Sequence, residues 1–378
     1  MRRGVRGFNF QYITLTQRYN VWLHHTNKLY STSTTSSSIT TKMEWLTKRD
    51  PYCNISDSIA AKIGLNLHCR RNHPLYILRK KIESYFDKLH EKKRAPVFTV
   101  FDDLDPVVTT YDCFDSMLVP QDHVSRKITD TYYVDKHRVL RAHTSAHEVA
   151  MMKKGYTSFL ISGDVYRRDE IDASHYPVFH QMEGVRIYSE LDTAMSRHDK
   201  VTFVKEKLKK TLEGMTKELF GDVEMRWQEI VRSAGLGENV GWAFGLGLER
   251  LAMVLFDIPD IRLFWSQDKR FLSQFKDGQI TKFKPYSKYP ACFKDVSFWH
   301  DADFHENNLC EVVRDIAGDM VERVAVVDEF THPKTQRQSK CYRITYRHMD
   351  RNLTNSEVDD IQAIVRGKIV KDLGVELR

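Results

Sequence analysis

The stretch GWAFGLGLERLAMVLF, Gly241 to Phe256, sets a glycine-spaced strand directly before a helix, and its reading decides what kind of chain this is. Gly245 and Gly247 let the backbone turn sharply, while Leu248, Leu251, Ala252 and Leu255 recur at helical spacing as one apolar stripe. The outline is that of a phosphate loop. It lacks the third glycine of GxGxxG and the lysine of GxxxxGK[ST], so it is neither a dinucleotide fingerprint nor a P-loop. What it carries instead is Arg250 in the first helical turn. A cation there opposes the positive end of the helix dipole, so an anionic partner is expected, and a triphosphate would serve.

A second stretch, GDVYRRDEIDASHYPVFHQMEGVRIY from Gly163 to Tyr188, ends in a strand of strict alternation. Phe179, Gln181, Glu183, Val185 and Ile187 share one face, and His180, Met182, Gly184, Arg186 and Tyr188 the other. An amide and a carboxylate among large apolar groups need partners, since an unpaired buried polar group costs roughly 2–7 kcal/mol. A bound ligand would supply them, and Glu183 could also hold a magnesium ion; an open strand end with solvated groups is the alternative. Arg167 and Arg168 close the preceding strand, where arginine offers a phosphate paired planar donors, although such a pair is often simply solvated. A loop bearing Asp172, Ser174, His175 and Tyr176 joins the two strands. In HTSAHE, His143 to Glu148, the second histidine of the zincin HExxH pattern is replaced by Met151, which speaks against zinc. Its hydroxyl, imidazole and helix-start donors suit a small polar substrate.

Composition frames these motifs. The chain has 378 residues and a net charge of +7, enough length for two or three domains. Residues 1–42 hold six Lys/Arg and no acid, leaving 52 basic against 51 acidic residues in the remainder. That Ser/Thr-rich basic segment has the composition of a mitochondrial transit peptide or a disordered basic tail, not of a secretory signal. No apolar run is long enough to span a bilayer. The six cysteines are scattered without a CxxC pair, so they are expected to be reduced and mostly buried.

Between these landmarks the periodicity predicts helices at Leu75–Leu89, after an Asn-His-Pro start, and at Val201–Phe220, stopped by Gly221. Strands are predicted at Pro96–Phe101 and Thr131–Val134, with a polar loop from Asp112 to Asp130. Beyond a turn-rich connector at Pro285–Pro290, strands at Ala291–Trp299 and Cys341–His348 and helices at Leu309–Val321 and Ser356–Leu373 suggest a small α+β module. Six bases face one acid across Thr331–Arg351; Tyr342, Ile344 and Tyr346 are expected inside, with Arg343 and Arg347 outside. RNA phosphates, or plain solvent, would suit that face.

Taken in order, RAHTSAHE, GDVYRRDEIDASHYPVFHQMEG and GWAFGLGLERLAM resemble the signature motifs of class II aminoacyl-tRNA synthetases, closely those of the single-chain mitochondrial phenylalanyl-tRNA synthetases. SRKITDTYYV (Ser125–Val134) resembles the end of their first motif region, and YPACFKDVSFW with CYRITYRHMDR resembles their ferredoxin-like anticodon-binding domain. The resemblance implies an α+β chain: a leader over 1–42, a class II catalytic domain with an antiparallel sheet flanked by helices over 43–283, and the anticodon-binding domain over 284–378. It implies ATP and Mg²⁺ as cofactors, phenylalanine and tRNA(Phe) as partners, no membrane, a monomer, and the mitochondrial matrix. By position, Arg167 would hold the α-phosphate and Arg250 the γ-phosphate. Ser145, Ala146, His147 and Glu148, then Ser174, His175 and Tyr176, then Gln181, Met182 and Glu183 would bind phenylalanine and the adenylate. Phe244 would line the pocket, and Lys340, Arg343 and Arg347 would meet the tRNA.

Two regions, around 190–200 and 228–240, are short for this family, and the aromatic Pro-Phe segment that surrounds the phenylalanine ring is absent. A sheet lacking interior strands is expected to keep most ATP contacts and to have an impaired amino-acid pocket. The alternative function is that of an impaired isoform that still binds tRNA and ATP.

Overall fold

The computed structural model describes residues 8–17, 44–92, 94–194, 199–222, 225–235, 240–285 and 289–378. Twelve strands are present among them: β1 (Phe8–Gln17), β2 (Thr99–Phe101), β3 (Val107–Thr109), β4 (Arg138–Leu140), β5 (Ser158–Tyr166), β6 (Val178–Tyr188), β7 (Met225–Gly235), β8 (Val240–Gly247), β9 (Cys292–His300), β10 (Val321–Thr331), β11 (Gln338–Tyr346) and β12 (Glu376–Leu377). The larger sheet runs β2-β5-β6-β8-β1-β7, with β5, β6 and β8 antiparallel at its centre. The smaller sheet, β10-β11-β9-β12, is antiparallel throughout, and β3 pairs with β4 in a short ribbon.

Three helices cover one face of the larger sheet. Pro74–Glu91 begins where the His73 ring accepts from the Leu75 amide, 3.3 Å away, with Pro74 in the first turn where no N–H is missed. Lys200–Phe220 is capped by the Asp199 carboxylate, which accepts from Val201 N and Thr202 N, and it stops at Gly221, whose φ of 77° only glycine adopts freely. Leu78, Ile82 and Phe86 of the first helix, Leu208 and Leu212 of the second, and Leu248, Ala252 and Phe256 of Leu248–Phe256 join Met182, Trp242 and Phe244 of the sheet in one core.

Several boundaries moved. Thr131–Val134 is not a strand: Tyr132 and Tyr133 are buried, but only an isolated bridge from Tyr133 to Val139 forms, and the paired segments are Val107–Thr109 and Arg138–Leu140. The Asp112–Asp130 loop contains short 3-10 turns at Asp115–Met117 and Val124–Arg126. The helix expected at Leu309–Val321 runs Glu306–Ala317, and Val321 instead opens β10, which periodicity had not shown. Only Cys113 and Cys310 are fully buried, fewer than expected of the six cysteines.

One stretch of the expected leader lies among the described residues. Residues 8–17 form β1, pairing antiparallel with β8 from Tyr12↔Phe244 to Leu15↔Gly241 and parallel with β7. The sequence FNFQYITLTQ alternates apolar and polar residues over its first half, as a sheet strand does. The remainder of 1–42 lies outside the described residues, as do 195–198 and 236–239 within the two short regions and 286–288 of the connector.

The C-terminal unit packs its Glu306–Ala317 and Asn355–Leu373 helices on the smaller sheet around Val296, Phe298, Leu309, Tyr342, Ile344, Val365 and Ile369. It docks on the loop after β5. Arg314 bonds Glu311 and donates to Asp169 O at 2.7 Å, Glu311 accepts from the Tyr132 hydroxyl at 2.9 Å, and Asn307 donates to Thr129 O and Arg168 O. Replacing the buried Arg314 by alanine strands Glu311, so Arg314→Ala is expected to cost about 3–5 kcal/mol in denaturant unfolding. A loss below about 1 kcal/mol would mean the junction behaves as a solvated surface pair.

Candidate active site

Alternation divides β6 and β8 into a crowded face and an open one. Register places Gln181 opposite Gly247, Glu183 opposite Gly245 and Val185 opposite Ala243, so the partner strand presents only small residues on the open face. A side chain at Gly245 would meet nothing nearer than Glu183 Oε1 at 4.0 Å, which leaves room above the two glycines. On the crowded face, Trp242, Phe244 and Leu246 pack with Met182 against the helices.

Met182 and Phe244 therefore do not line the open face, contrary to expectation. Phe244 stacks on Phe86 at 5.9 Å and on Trp242 at 5.8 Å, and a Cβ on Gly184 would come within 2.4 Å of its ring. Gly184 of QMEG is the space that Phe244 fills. Tyr176 is also placed elsewhere: it stacks on Trp265 at 5.4 Å and donates its hydroxyl to Asp319 of the C-terminal unit at 2.6 Å. Ala146 is buried in a satellite core with Val108, Cys113 and Tyr133.

The polar residues of the open face converge. Glu183 accepts from Thr144 Oγ1 at 3.0 Å and Ser145 Oγ at 2.7 Å, and Gln181 Oε1 accepts from the Thr144 amide at 3.2 Å. Glu148 reaches the same carboxylate from the short helix Glu148–Lys153. Burial raises both carboxyl groups above the usual carboxylate range, and for Glu148 the charge of Glu183 adds to this. Burial thus favours the neutral form of this carboxyl pair. His147 has a different partner: Arg141, itself ion-paired with Asp164, donates to His147 Nε2 at 2.9 Å, and burial with that neighbouring charge lowers the ring to about 3, keeping it neutral.

Arg167 leaves the end of β5 with Nε donating to Ala142 O at 2.8 Å and its guanidinium 5.3 Å from the Phe179 ring, on the face of Gln181. Burial holds it below the ordinary arginine value, and the nearby Arg250 pushes the same way. Two guanidinium groups repelling each other at one opening call for an anion between them. Arg250 is exposed, and its Nη2 lies 3.2 Å from His175 Nε2; His175 Nδ1 in turn lies 2.9 Å from Asp172. Ser174 completes this loop through the same aspartate.

Glu249, beside Arg250, was not singled out from sequence, yet it orients the helix. Its buried carboxylate accepts from the His180 amide at 2.8 Å and meets His180 Nδ1 at 2.7 Å, pinning the helix start to β6 so that Arg250 turns outward. An acid two residues into a helix suits the dipole, which is the one local signal that could have found it. Glu183 belongs to no three-ligand cluster among the described residues; Glu170, Asp172 and His175 do, with ligand atoms within 4.8 Å of one another.

On the C-terminal unit, Arg343 lies on the open face of the smaller sheet, 5.1 Å from the Phe293 ring, with both nitrogens on Asp295 at 2.8 and 2.7 Å. Lys340 has the parity of Tyr342 and Ile344, so it sits on the helix side with Glu329 at 2.9 Å, not beside Arg343. Arg347 lies at the junction, 3.3 Å from Glu322. The open face also carries Trp299 and Phe330 under Arg378, at 5.4 and 4.7 Å, an aromatic and cationic surface that the sequence reading missed.

Comparison with known proteins gives this geometry its family. The profile described as "tRNA synthetases class II core domain (F)" matches residues 64–231 and 225–275, and "Ferredoxin-fold anticodon binding domain" matches 287–378. The chain is 52% identical to "Phenylalanine--tRNA ligase, chloroplastic/mitochondrial" of Arabidopsis thaliana, over 87% of this chain and 83% of that one. It is 43% identical to the mitochondrial phenylalanine--tRNA ligase of Mus musculus (87% of each) and 38% to that of Saccharomyces cerevisiae (88% of this chain, 93% of that one). The Arabidopsis alignment runs over 362 residues, whereas 87% of 378 is about 329, so about 33 of its positions have no counterpart here. By these matches, and with the α+β architecture they share, the chain belongs to the phenylalanine–tRNA ligases of class II.

Proposed function

We propose that this chain attaches phenylalanine to mitochondrial tRNA(Phe) through a phenylalanyl-adenylate, working as a monomer in the matrix. The observation that carries the reading is the open face itself: Gln181, Glu183, Ser145 and Thr144 converge beside Gly245 and Gly247 of the paired strand, with Arg167 and Arg250 at the opening. The carboxylate-lined end takes the α-ammonium of phenylalanine. A carboxylate oxygen of phenylalanine attacks the α-phosphorus of ATP and pyrophosphate leaves; the 3′-terminal hydroxyl of the tRNA then attacks the acyl carbon and AMP leaves. Arg167 meets charge developing on the α-phosphate and Arg250 the departing γ-phosphate, so both act by preorganised electrostatics.

Magnesium fits the oxygen-rich loop beside Arg250 better than it fits Glu183, whose oxygens are taken by two hydroxyls and Glu148. Glu170 and Asp172 would hold it, and when bound it neutralises phosphate charge. No helix among the described residues is long and apolar enough to cross a membrane. The Arg343–Asp295 pair on the anticodon-binding domain is exposed and screened by solvent, so an RNA phosphate can displace the aspartate.

A second reading rests on the missing positions. If the roughly 33 residues fall after Trp227, the chain lacks the wall around the phenylalanine ring, and β1 occupies the sheet edge instead. ATP contacts then persist while amino-acid affinity falls. In ATP–pyrophosphate exchange, inserting the corresponding Arabidopsis segment is expected to lower the phenylalanine KM at least tenfold; full-strength exchange by the chain as it stands would sink this reading.

Arg167→Ala and Arg250→Ala should each slow that exchange about 10²- to 10³-fold, the loss typical of a preorganised charge donor, with the Arg250 change also raising the KM for ATP. The carboxyl pair gives a pH signature. Unfolded Glu148 ionises in the ordinary range while the folded pair keeps its proton, so the stability gained by burying the neutral pair is full at low pH and lost as pH rises toward the raised folded values. Glu148→Gln is therefore expected to raise Tm at pH 8 and to leave it nearly unchanged at pH 4; equal shifts at both would show that burial does not favour the neutral pair.

A further inference from the structure

A cavity of about 580 Å³ lies away from the aminoacylation face, between the Pro74–Glu91 and Lys200–Phe220 helices and the ends of β6 and β8. Its sheet wall is Arg186 and Tyr188 with Trp242, whereas the site described above centres on Gln181 and Gly247. Five residues of strand separate the two, about 16 Å at 3.3 Å per residue, and the odd offset puts them on opposite faces of the sheet. Nothing in the aminoacylation reading uses this hollow.

Its lining is strongly basic. Lys88, Lys92 and Arg94 rim it from the end of one helix, Lys207 and Lys210 from the other, and Arg186 from β6, against the single acid Glu218. Lys88 pairs with Glu218 at 2.5 Å and Lys210 with Glu206 at 3.9 Å. Among the described residues the other four have no carboxylate partner; Arg186 lies 4.3 Å over the Tyr188 ring and Lys207 5.2 Å over Phe203, contacts that leave their charge uncompensated. Four unpaired cations gathered on one concavity repel each other unless an anion sits among them. The floor is aromatic and firmly built: Trp242 donates Nε1–H to the Tyr188 hydroxyl at 3.0 Å, Tyr85 donates its hydroxyl to Thr211 O at 2.9 Å, and Phe98 stacks on Trp242 at 6.1 Å.

We propose that this cavity binds a nucleoside polyphosphate. The rim cations, coming from three elements, match a chain of phosphates better than one isolated ion, and the apolar floor suits a base and ribose. The volume falls in the range of small-molecule sites, about 300–1,000 Å³, and excludes a folded nucleic acid helix. A free nucleotide and the terminal nucleotide of an RNA strand share this chemistry, and the free nucleotide is favoured because the site is a hollow and not a groove.

The test is calorimetric titration of the full chain with GTP, whose base differs from that of the aminoacylation substrate. Saturable binding is expected, weakened at least tenfold in Lys92→Glu/Lys207→Glu, whose two positions are exposed, and unchanged in Arg250→Ala. Thermal melting of each variant shows that it is folded, and Arg186→Ala, which removes a cation without adding an acid, should weaken binding in the same direction. No saturable binding, or binding that is lost with Arg250 and kept by the double variant, overturns the proposal. So does equal competition by orthophosphate, which would reduce the cavity to an ion site, or tighter binding of a 5′-phosphorylated trinucleotide than of GTP, which would assign it to RNA ends.

Discussion

The site depends on one constraint, the period-two alternation of β6 and β8 locked in mutual register. It sends Met182, Trp242, Phe244 and Leu246 into the helix-covered core and leaves Gln181 and Glu183 facing glycines. The two faces are mutually dependent: the ring of Phe244 needs the missing side chain of Gly184, and the polar pair needs the missing side chains of Gly245 and Gly247. A slip of one residue would bury the carboxylate among aromatics and expose the core.

On this frame the charges are arranged by depth. The deepest is a buried carboxyl pair, held by hydroxyls from the Thr144–Ser145 turn; the two arginines stand farther out, one half-buried and one exposed. That order matches a substrate with an ammonium at one end and phosphates at the other. Glu249 holds the outer arginine in place by bonding His180, so the acid beside Arg250 is as much part of the site's construction as Arg250 itself.

The C-terminal unit is more than an appendage. Through Arg314, Asn307 and Asp319 it braces the backbone of Arg168 and Asp169 and the hydroxyl of Tyr176, the flanks of the loop that carries His175 toward Arg250. Tyr176, expected by resemblance among the substrate-binding residues, joins the two units, because stacking on Trp265 and the bond to Asp319 use both its ring and its hydroxyl.

What the sequence by itself determined was what is periodic or contiguous: the capped helices at Pro74–Glu91 and Lys200–Phe220, the alternation of β6, the family signatures, and the arginines that need an anion. Parity even held the answer for Lys340, Met182 and Phe244, since each shares a face with core residues. What tertiary structure alone decided was long-range pairing. Whether Thr131–Val134 finds a strand partner, whether Phe8–Gln17 joins a sheet, and whether Arg343 meets solvent or Asp295 are set by segments far away in the chain. A hydrogen-bonding edge or a countercharge has no local spacing by which to announce itself; it exists only once the backbone has brought its partner within reach.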